Sequence, residues 1–396
     1  MARFHIEESP MSGGTLSEDV AVEIMNGARN STWSLRLLSR LVLAGEGNFD
    51  LSNVQIPPHD NGENITQIVA KCSPQDFGEL WELANCHHVI MRALPTLRRL
   101  MPVNSNGNAE WLDRALARER ARIQNALGFL APICHALGEA GDVVVIKSLD
   151  HWPDLGSDID LYTNARKSDV VAIMQRALAG KANERSWGDR LANKWNFIVP
   201  GLPELVEVHV GRLGQTGEQV SVTSSLVARS SVIRFDSHEL RVPAPEDRLI
   251  ITTLQRMYRH FYLRVCDIAD TARLVDSGAI DYVYLKSLAE SAGLWDGLAT
   301  YLMIVGDYVR SYRGRELALP RIVTSAAHFG NERISFRRTF LRIPIFPQAV
   351  RFYASELQRL LLNGDLRNTF RLSLLPGLAA AAALEMKLTG SDKGIW

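Results

Sequence analysis

Cysteine is scarce: 4 in 396 residues, at positions 72, 86, 134 and 266, with no Cys-x-x-Cys pair. That excludes a disulfide scaffold and a zinc ribbon. An excess of one charge is missing too. The 44 Lys and Arg balance 44 Asp and Glu, so this is no nucleic-acid-coating protein with a basic surface throughout. Uncharged apolar runs of membrane-spanning length, about 18 residues, are absent; the nearest, Leu372–Leu384, contains Pro376. The opening MARFHIEESPMSGG lacks the apolar core of a signal peptide, and the chain reads as cytoplasmic. Gly-x-Ser-x-Gly, Walker A and His-Glu-x-x-His do not occur. Gly211, Gly214 and Gly217 have the wrong spacing for a dinucleotide fingerprint, with no helical pattern after them, and read as a turn.

What is present is a globular balance, 46% hydrophobic and 22% charged, in a chain long enough for roughly two or three domains. Soft metal ligands cluster only at Cys86-His87-His88 and Cys134-His135. Neighbours on a helix point about 100° apart and rarely chelate one ion, so these read as packed or half-exposed helix residues.

The pattern predicts an α+β protein, a short mixed sheet with helices, flanked by helical regions at both ends. Residues 1–65 form a helical segment with Leu35, Leu38, Leu41 and Val42 in helical spacing, then the turn-rich linker NFDLSNVQIPPHDNGEN. Residues 66–140 are helical. One helix opens at Ser73-Pro74, as cap and first-turn residue, and a second runs from about Ala109 to Leu137. The core, residues 141–245, holds the strands VVVIKS, DIDLYT, NKWNFIV and LVEVHVG, with a helix over Ser168–Leu178. Residues 246–330 return to helical period, EDRLIITTLQRMYRHFYLRVCDIADTARLV reading as one or two long helices. Residues 331–396 are Arg-rich and then apolar, again read as helix, with Phe336 and Phe340 on one helical face.

Asp158-Ile159-Asp160 carries the chemistry. Residues two apart on a strand share a face, so both carboxylates project together while Ile159 and Leu161 face the core. Two carboxylates so close repel unless a cation sits between them, and a hard divalent ion is the usual answer. Upstream, the strand VVVIKS ends in Lys147 and Ser148, an ammonium and a hydroxyl suited to phosphate. Downstream, Val206, Val208 and Val210 fill one face of a strand and Glu207 and His209 share the other. A carboxylate inside an apolar strand is costly unless ligated or paired. Three carboxylates on neighbouring strands would make a two-metal clamp for displacement at phosphorus. The competing reading is a solvated strand end with a structural ion pair.

Strand, Lys-Ser turn, nine residues, Asp-h-Asp on a strand and a later carboxylate strand resemble the DNA polymerase β-like nucleotidyltransferase superfamily. Over about residues 70–300 the chain is similar to its branch of uncharacterised bacterial nucleotidyltransferases, with ELANCHHVIMRAL before the core and APEDRLIITTLQRMYRHFYLRVCDIADTARLV after it. The resemblance implies Mg²⁺-dependent transfer of a nucleoside monophosphate from an NTP to a hydroxyl or amine acceptor, releasing pyrophosphate. It makes Asp158, Asp160 and Glu207 the catalytic and metal-binding residues, with Glu207 also a candidate to accept the acceptor's proton, two Mg²⁺ ions or Mn²⁺, and the NTP as co-substrate. Ser148 with Lys147 would touch the nucleotide. The superfamily has Gly-Ser in this turn, or Lys-Gly in this branch; Lys147-Ser148 departs from both.

Around this centre, His209 reads as a hydrogen-bonded strand histidine or as a donor steering Glu207. Arg256, Arg259, His260 and Arg264 read first as a wet helix face, and second as groups reaching the triphosphate or acceptor. Asp267 pairs with an arginine or caps the pocket wall in this reading, with no chemical role. Arg333, Arg337, Arg338, Arg342 and Arg351, with no acid among them, read as a docking helix whose arginines lie over the core, in preference to a surface for RNA, an acidic partner or a membrane. Two rivals stand beside the enzyme: an inactive nucleotide-binding or interaction protein on the same fold, and a toxin-like nucleotidyltransferase modifying RNA or protein.

Overall fold

A computed structural model describes residues 33–43, 65–101, 106–235, 238–337 and 339–389. The linker of the sequence reading and Arg338 lie outside the described residues.

Four helices open the described chain: α1 (33–43), α2 (Ile65–Ala70), α3 (Pro74–Cys86) and α4 (Ile90–Leu100). α3 starts where Ser73 accepts a hydrogen bond from the Asp76 N–H while Asp76 accepts one from the Ser73 N–H, with Pro74 in the first turn. That reciprocal cap satisfies amides that a helix start leaves open. α5 (Asn106–Gly138) is the long helix behind the sheet.

The sheet follows as β1 (Val143–Val145), β2 (Asp158–Thr163), α6 (Lys167–Leu178), β3 (Lys181–Ala182), α7 (Trp187–Ala192), β4 (Lys194–Ile198) and β5 (Leu205–Val210). Its order is β1-β2-β5-β4-β3, with β2 and β5 parallel and the other pairs antiparallel. Ile159, Leu161, Val206 and Val208 point to one face and pack with Ile123, Leu130 and Ile133 of α5 and with Val170 and Met174 of α6. Residue 140 is therefore not a structural boundary, since α5 is the backing of the sheet. On the other face Val144 and Tyr162 are buried in a second, mainly helical core, and the carboxylates continue that face.

The rest comprises α8 (Val220–Ala228), a β6–β7 hairpin (Ser231–Phe235, His238–Val242), α9 (Pro245–Thr253), a π-helical turn (Leu254–His260), β8 (Tyr262–Leu263) and α10 (Val265–Asp276). Then come α11 (Tyr282–Ser291), α12 (Trp295–Arg313), α13 (Arg321–Thr324), β9 (Ser335–Arg337), β10 (Phe340–Arg342), α14 (Val350–Leu362), α15 (Leu366–Ser373) and α16 (Leu375–Thr389). The helical core unites α1–α4 with α9–α12. Ser39 of α1 hydrogen-bonds Tyr308 of α12 at 2.7 Å. The helical segments before and after the sheet thus share one core.

The stretch expected as one or two long helices is two: α9 with its π-helical turn, and α10, divided where Phe261 takes a left-handed φ of 54° and the chain runs extended through β8. One sequence expectation is corrected. Residues 335–342, expected helical, form a hairpin instead. Leu341 pairs with Phe336 and with Leu263 of β8 and is buried, while Arg337 and Arg342 flank it. Alternation along this strand, with partners on both sides, outweighs the helical spacing of Phe336 and Phe340. Arg333, Arg337 and Arg351 are exposed, and Arg342 lies over the Tyr262 ring at 5.1 Å. No helix among the described residues is long and apolar enough to cross a membrane.

Candidate active site

β1 ends in a tight reversal. The Ser148 N–H donates to the Ile146 carbonyl at 2.8 Å, and Lys147 holds a left-handed φ of 66°. A side chain at such a φ is strained unless its surroundings hold it. Here the turn is fastened to β2: Ile146 N–H donates to Asp160 O at 3.0 Å, and Asp160 N–H donates to Ser148 Oγ at 2.8 Å. The reversal delivers Lys147 Nζ to 2.5 Å from Asp160 Oδ1. Ser148 is thereby buried as an anchor of the turn and does not line the cavity described below.

Parallel pairing of β2 with β5 sets Asp160 directly beside Glu207. Asp158 sits two residues back on the same face, accepting from Ser157 Oγ at 3.2 Å. Glu207 is held on both oxygens. His209 Nε2 donates to Oε1 at 2.8 Å, and Lys194 Nζ lies 3.1 Å from Oε2 and 2.9 Å from Asp189 Oδ1. Because Nε2 carries the proton toward the carboxylate, His209 Nδ1 is left as a buried acceptor without a hydrogen-bond partner.

Burial pushes Asp160 well above the usual carboxylate range, and the charges of Asp158 and Glu207 add to the push against Lys147. Lys147 moves up as well: burial opposes its charge, but Asp160, Glu207 and Asp158 hold the proton. Burial also acts to raise Glu207, yet the His209 hydrogen bond and the Lys194 and Lys147 ammonium groups hold it well below its ordinary value. Burial lowers His209 despite Glu207, leaving a neutral imidazole. Asp158 and Glu207 beside Asp160 thus concentrate negative charge on neighbouring strands, which Lys147 offsets in part.

A cavity of about 230 Å³ opens over Asp158, Asp160, Glu207 and Lys147, and its remaining wall is cationic through Arg256, Arg259 and Arg264, with His260, Tyr262, Gln255, His88 and His151. The π-helical turn and β8 supply that wall. Arg256 is 1% exposed and pairs with Asp267 at 2.7 Å, so it is no wet-face residue, and Asp267 has the arginine partner the sequence reading gave it. Arg256 Nη1 and Arg264 Nε are buried donors without hydrogen-bond partners. Burial, with Arg259, Arg256 and Arg264, pushes His260 well below its ordinary value, so it is neutral.

Asp158, Asp160, Glu207, Lys147, Arg256 and His260 therefore meet around one cavity, and His209 stands behind Glu207. Sequence reasoning missed Lys194. Its signal was a lysine in a strand whose register opposes His209, where burial demands an acidic partner. The connection between β1 and β2 is more than a spacer. Asp154 caps α4, accepting from Met91 N–H at 2.6 Å and Arg92 N–H at 3.2 Å. His151 Nδ1 lies 2.5 Å from Asp270 Oδ2, and Asp150 pairs with Arg248. His88 lies one residue past the C-cap of α3 at a left-handed φ of 52°, so the three adjacent soft ligands do not share one helix.

The oxygen donors suit a hard divalent cation. Three carboxylates bound one cavity, and the groups now neutralising two of them are lysine ammoniums at ion-pair distance. No protein-family model, curated protein or solved structure matches the chain.

Proposed function

We propose that the protein is a divalent-metal-dependent nucleotidyltransferase on a polymerase β-like core, moving a nucleoside monophosphate from an NTP to a hydroxyl or amine acceptor. One observation carries this reading: a single cavity has three carboxylates on one wall and, on the other, arginines with buried N–H groups lacking partners. A polyphosphate with its metal has that same division of charge. Asp158, Asp160 and Glu207 would hold Mg²⁺ or Mn²⁺. When bound, the ion neutralises charge developing on the phosphate oxygens.

The chain's own groups do the rest. Arg256 and Arg264 present N–H donors to phosphate oxygens, and Arg259 adds positive charge at the rim. The acceptor oxygen or nitrogen attacks the α-phosphorus and gives up its proton to solvent, the bond to the bridging oxygen breaks, and pyrophosphate leaves with its charge facing those arginines. Held well below its ordinary pKa, Glu207 serves as a fixed negative charge and not as the proton acceptor.

The same ion pairs motivate a second reading. Lys147 on Asp160, and Lys194 with His209 on Glu207, would suit a protein that binds the nucleotide without transferring it. Thermal shift with ATP, GTP, CTP and UTP, with and without Mg²⁺, separates the two when combined with a pyrophosphate-release assay. A ligand at 100 times its Kd adds about 2.7 kcal/mol. Transfer predicts a Mg²⁺-dependent shift and pyrophosphate release, both lost in Asp158→Asn/Asp160→Asn. Nucleotide binding that ignores Mg²⁺ and releases no pyrophosphate would favour the second reading and sink the first.

A further inference from the structure

We propose that His88, His151 and Cys266 form a second metal site, of the soft zinc type, beside the carboxylate cavity. The three residues come from the reversal after α3, the β1–β2 connection and the start of α10, and their ligand atoms all lie within 4.8 Å of one another. A tetrahedral zinc ion, with bonds of about 2.0 Å to nitrogen and 2.3 Å to sulfur, sets its donors roughly 3.3–3.6 Å apart. Cys266 Sγ already stands 4.0 Å from His151 Nε2. Closing the site therefore asks for side-chain movements of an ångström or less at that pair.

The surroundings of His151 are those of a metal ligand. Asp270 Oδ2 lies 2.5 Å from Nδ1, which fixes the ring with Nε2 turned toward the sulfur. Asp270 is itself fixed by Arg92 and Arg273, each at 2.8 Å. A carboxylate behind a histidine in this way orients the ring and raises its basicity toward a metal. His88 is held with similar care. Its backbone is left-handed, and a Cβ added at Gly156 would come within 3.3 Å of its ring, so a side chain there would press on the imidazole.

The protein offers three ligands and keeps a fourth position for water or substrate, because His88 and His151 both line the cavity. Three protein ligands with one open position is the arrangement of reactive zinc sites, not purely structural ones. Imidazole and thiolate select zinc or cobalt, whereas the carboxylate oxygens opposite select magnesium or manganese. The two sites thus sort metals by ligand type, with His88 and His151 reaching the carboxylate cavity and Cys266 buried behind them. Arg264 Nη1 lies 3.3 Å from His88 Nδ1 and donates to it; ligation at that nitrogen displaces the guanidinium.

The test is Co²⁺ titration of the full chain after chelator treatment, read by absorption. One equivalent should give intense visible bands of tetrahedral cobalt together with a near-ultraviolet thiolate-to-cobalt band. Zn²⁺ should erase both, and excess Mg²⁺ neither. Cys266→Ser should abolish the thiolate band and weaken binding on the order of 100-fold. Asp270→Asn, which touches no ligand atom, should weaken it roughly 10–100-fold, and Arg264→Gln should tighten it. Bands that persist in Cys266→Ser would place the metal on another thiol and overturn the proposal. Weak octahedral bands without the thiolate feature, lost in Asp158→Asn/Asp160→Asn, would place it on the carboxylates and overturn it equally. Neither result depends on nucleotidyl transfer.

Discussion

Lys147→Met isolates the charge balance on which the site rests. Lys147 Nζ lies 2.5 Å from Asp160 Oδ1, with the two side chains 14% and 8% exposed. At an effective dielectric constant of about 20, that contact is worth roughly 7 kcal/mol before desolvation is charged against it. Removing one partner of such a pair leaves a buried charge uncompensated and costs about 3–5 kcal/mol. Asp158 and Glu207 then repel Asp160 with nothing to offset them. Asp160 already sits above the usual carboxylate range, so its proton is bound more readily in the folded state than in the unfolded one. Lowering the pH should therefore restore stability to the variant relative to wild type. A divalent cation should do the same, by about 2.7 kcal/mol at 100 times its Kd. Thermal melting across pH, with and without Mg²⁺, reads both effects. Lys147→Gly separates the backbone contribution, because glycine adopts the left-handed φ freely and should recover about 1 kcal/mol over Met. A Lys147→Met melt equal to wild type, or one blind to both Mg²⁺ and acid, would refute this electrostatic account.

Other expectations follow from the same structure. Glu207 is held below its ordinary value, so it contributes stability above its unfolded pKa that is lost as pH falls through the folded one; Glu207→Gln should flatten the acid limb of the melting curve. Lys194→Met should cost about 3–5 kcal/mol, much of it recovered when Glu207→Gln is added, as a double-mutant cycle would show. Ser73→Ala removes the α3 cap and should cost about 1 kcal/mol in chemical denaturation. Leu341→Asp puts a charge at the buried centre of the β8–β10 pairing. It should strip hydrogen-exchange protection from Leu263 and Ile343 while leaving the β2–β5 amides protected.

The elements that face the carboxylates were legible because their signals are local. Asp158–Thr163 and Leu205–Val210 alternate with period two, and the structure begins and ends both strands where that alternation does. Ser73 and Pro74 announce α3 in the same local way. What escaped was set by pairing at long range. Phe336 and Phe340 carry helical spacing, yet the exposed edge of β8 captures the segment as a hairpin. Lys194 looked like an ordinary strand residue until β4 fell into register with β5. Residues 88, 151 and 266 could not be grouped from spacing, since more than 60 residues separate any two of them. The cationic wall was half visible: Arg256, Arg259, His260 and Arg264 read as helix, but a π-helical turn and a strand turn them onto one cavity.

Charge counting bears on how many ions the carboxylates take. Asp158, Asp160, Glu207 and Asp189 against Lys147 and Lys194 leave two net negative charges, enough to balance one divalent cation and too little for two. A two-ion site requires an ammonium group to leave, and Lys147 is the one that lines the cavity. Lys194 is tied to Asp189 as well as to Glu207 and stays. The wild-type protein should therefore show one Mn²⁺ per chain by paramagnetic counting in the absence of nucleotide, and Lys147→Met should show two. A triphosphate, bringing its own negative charge, should convert the wild type to the two-ion state by drawing Lys147 from Asp160 to the phosphates. Two ions on the wild type without nucleotide would mean that Lys147 yields Asp160 freely. In that case the ion pair would be a resting contact with no control over the metal count.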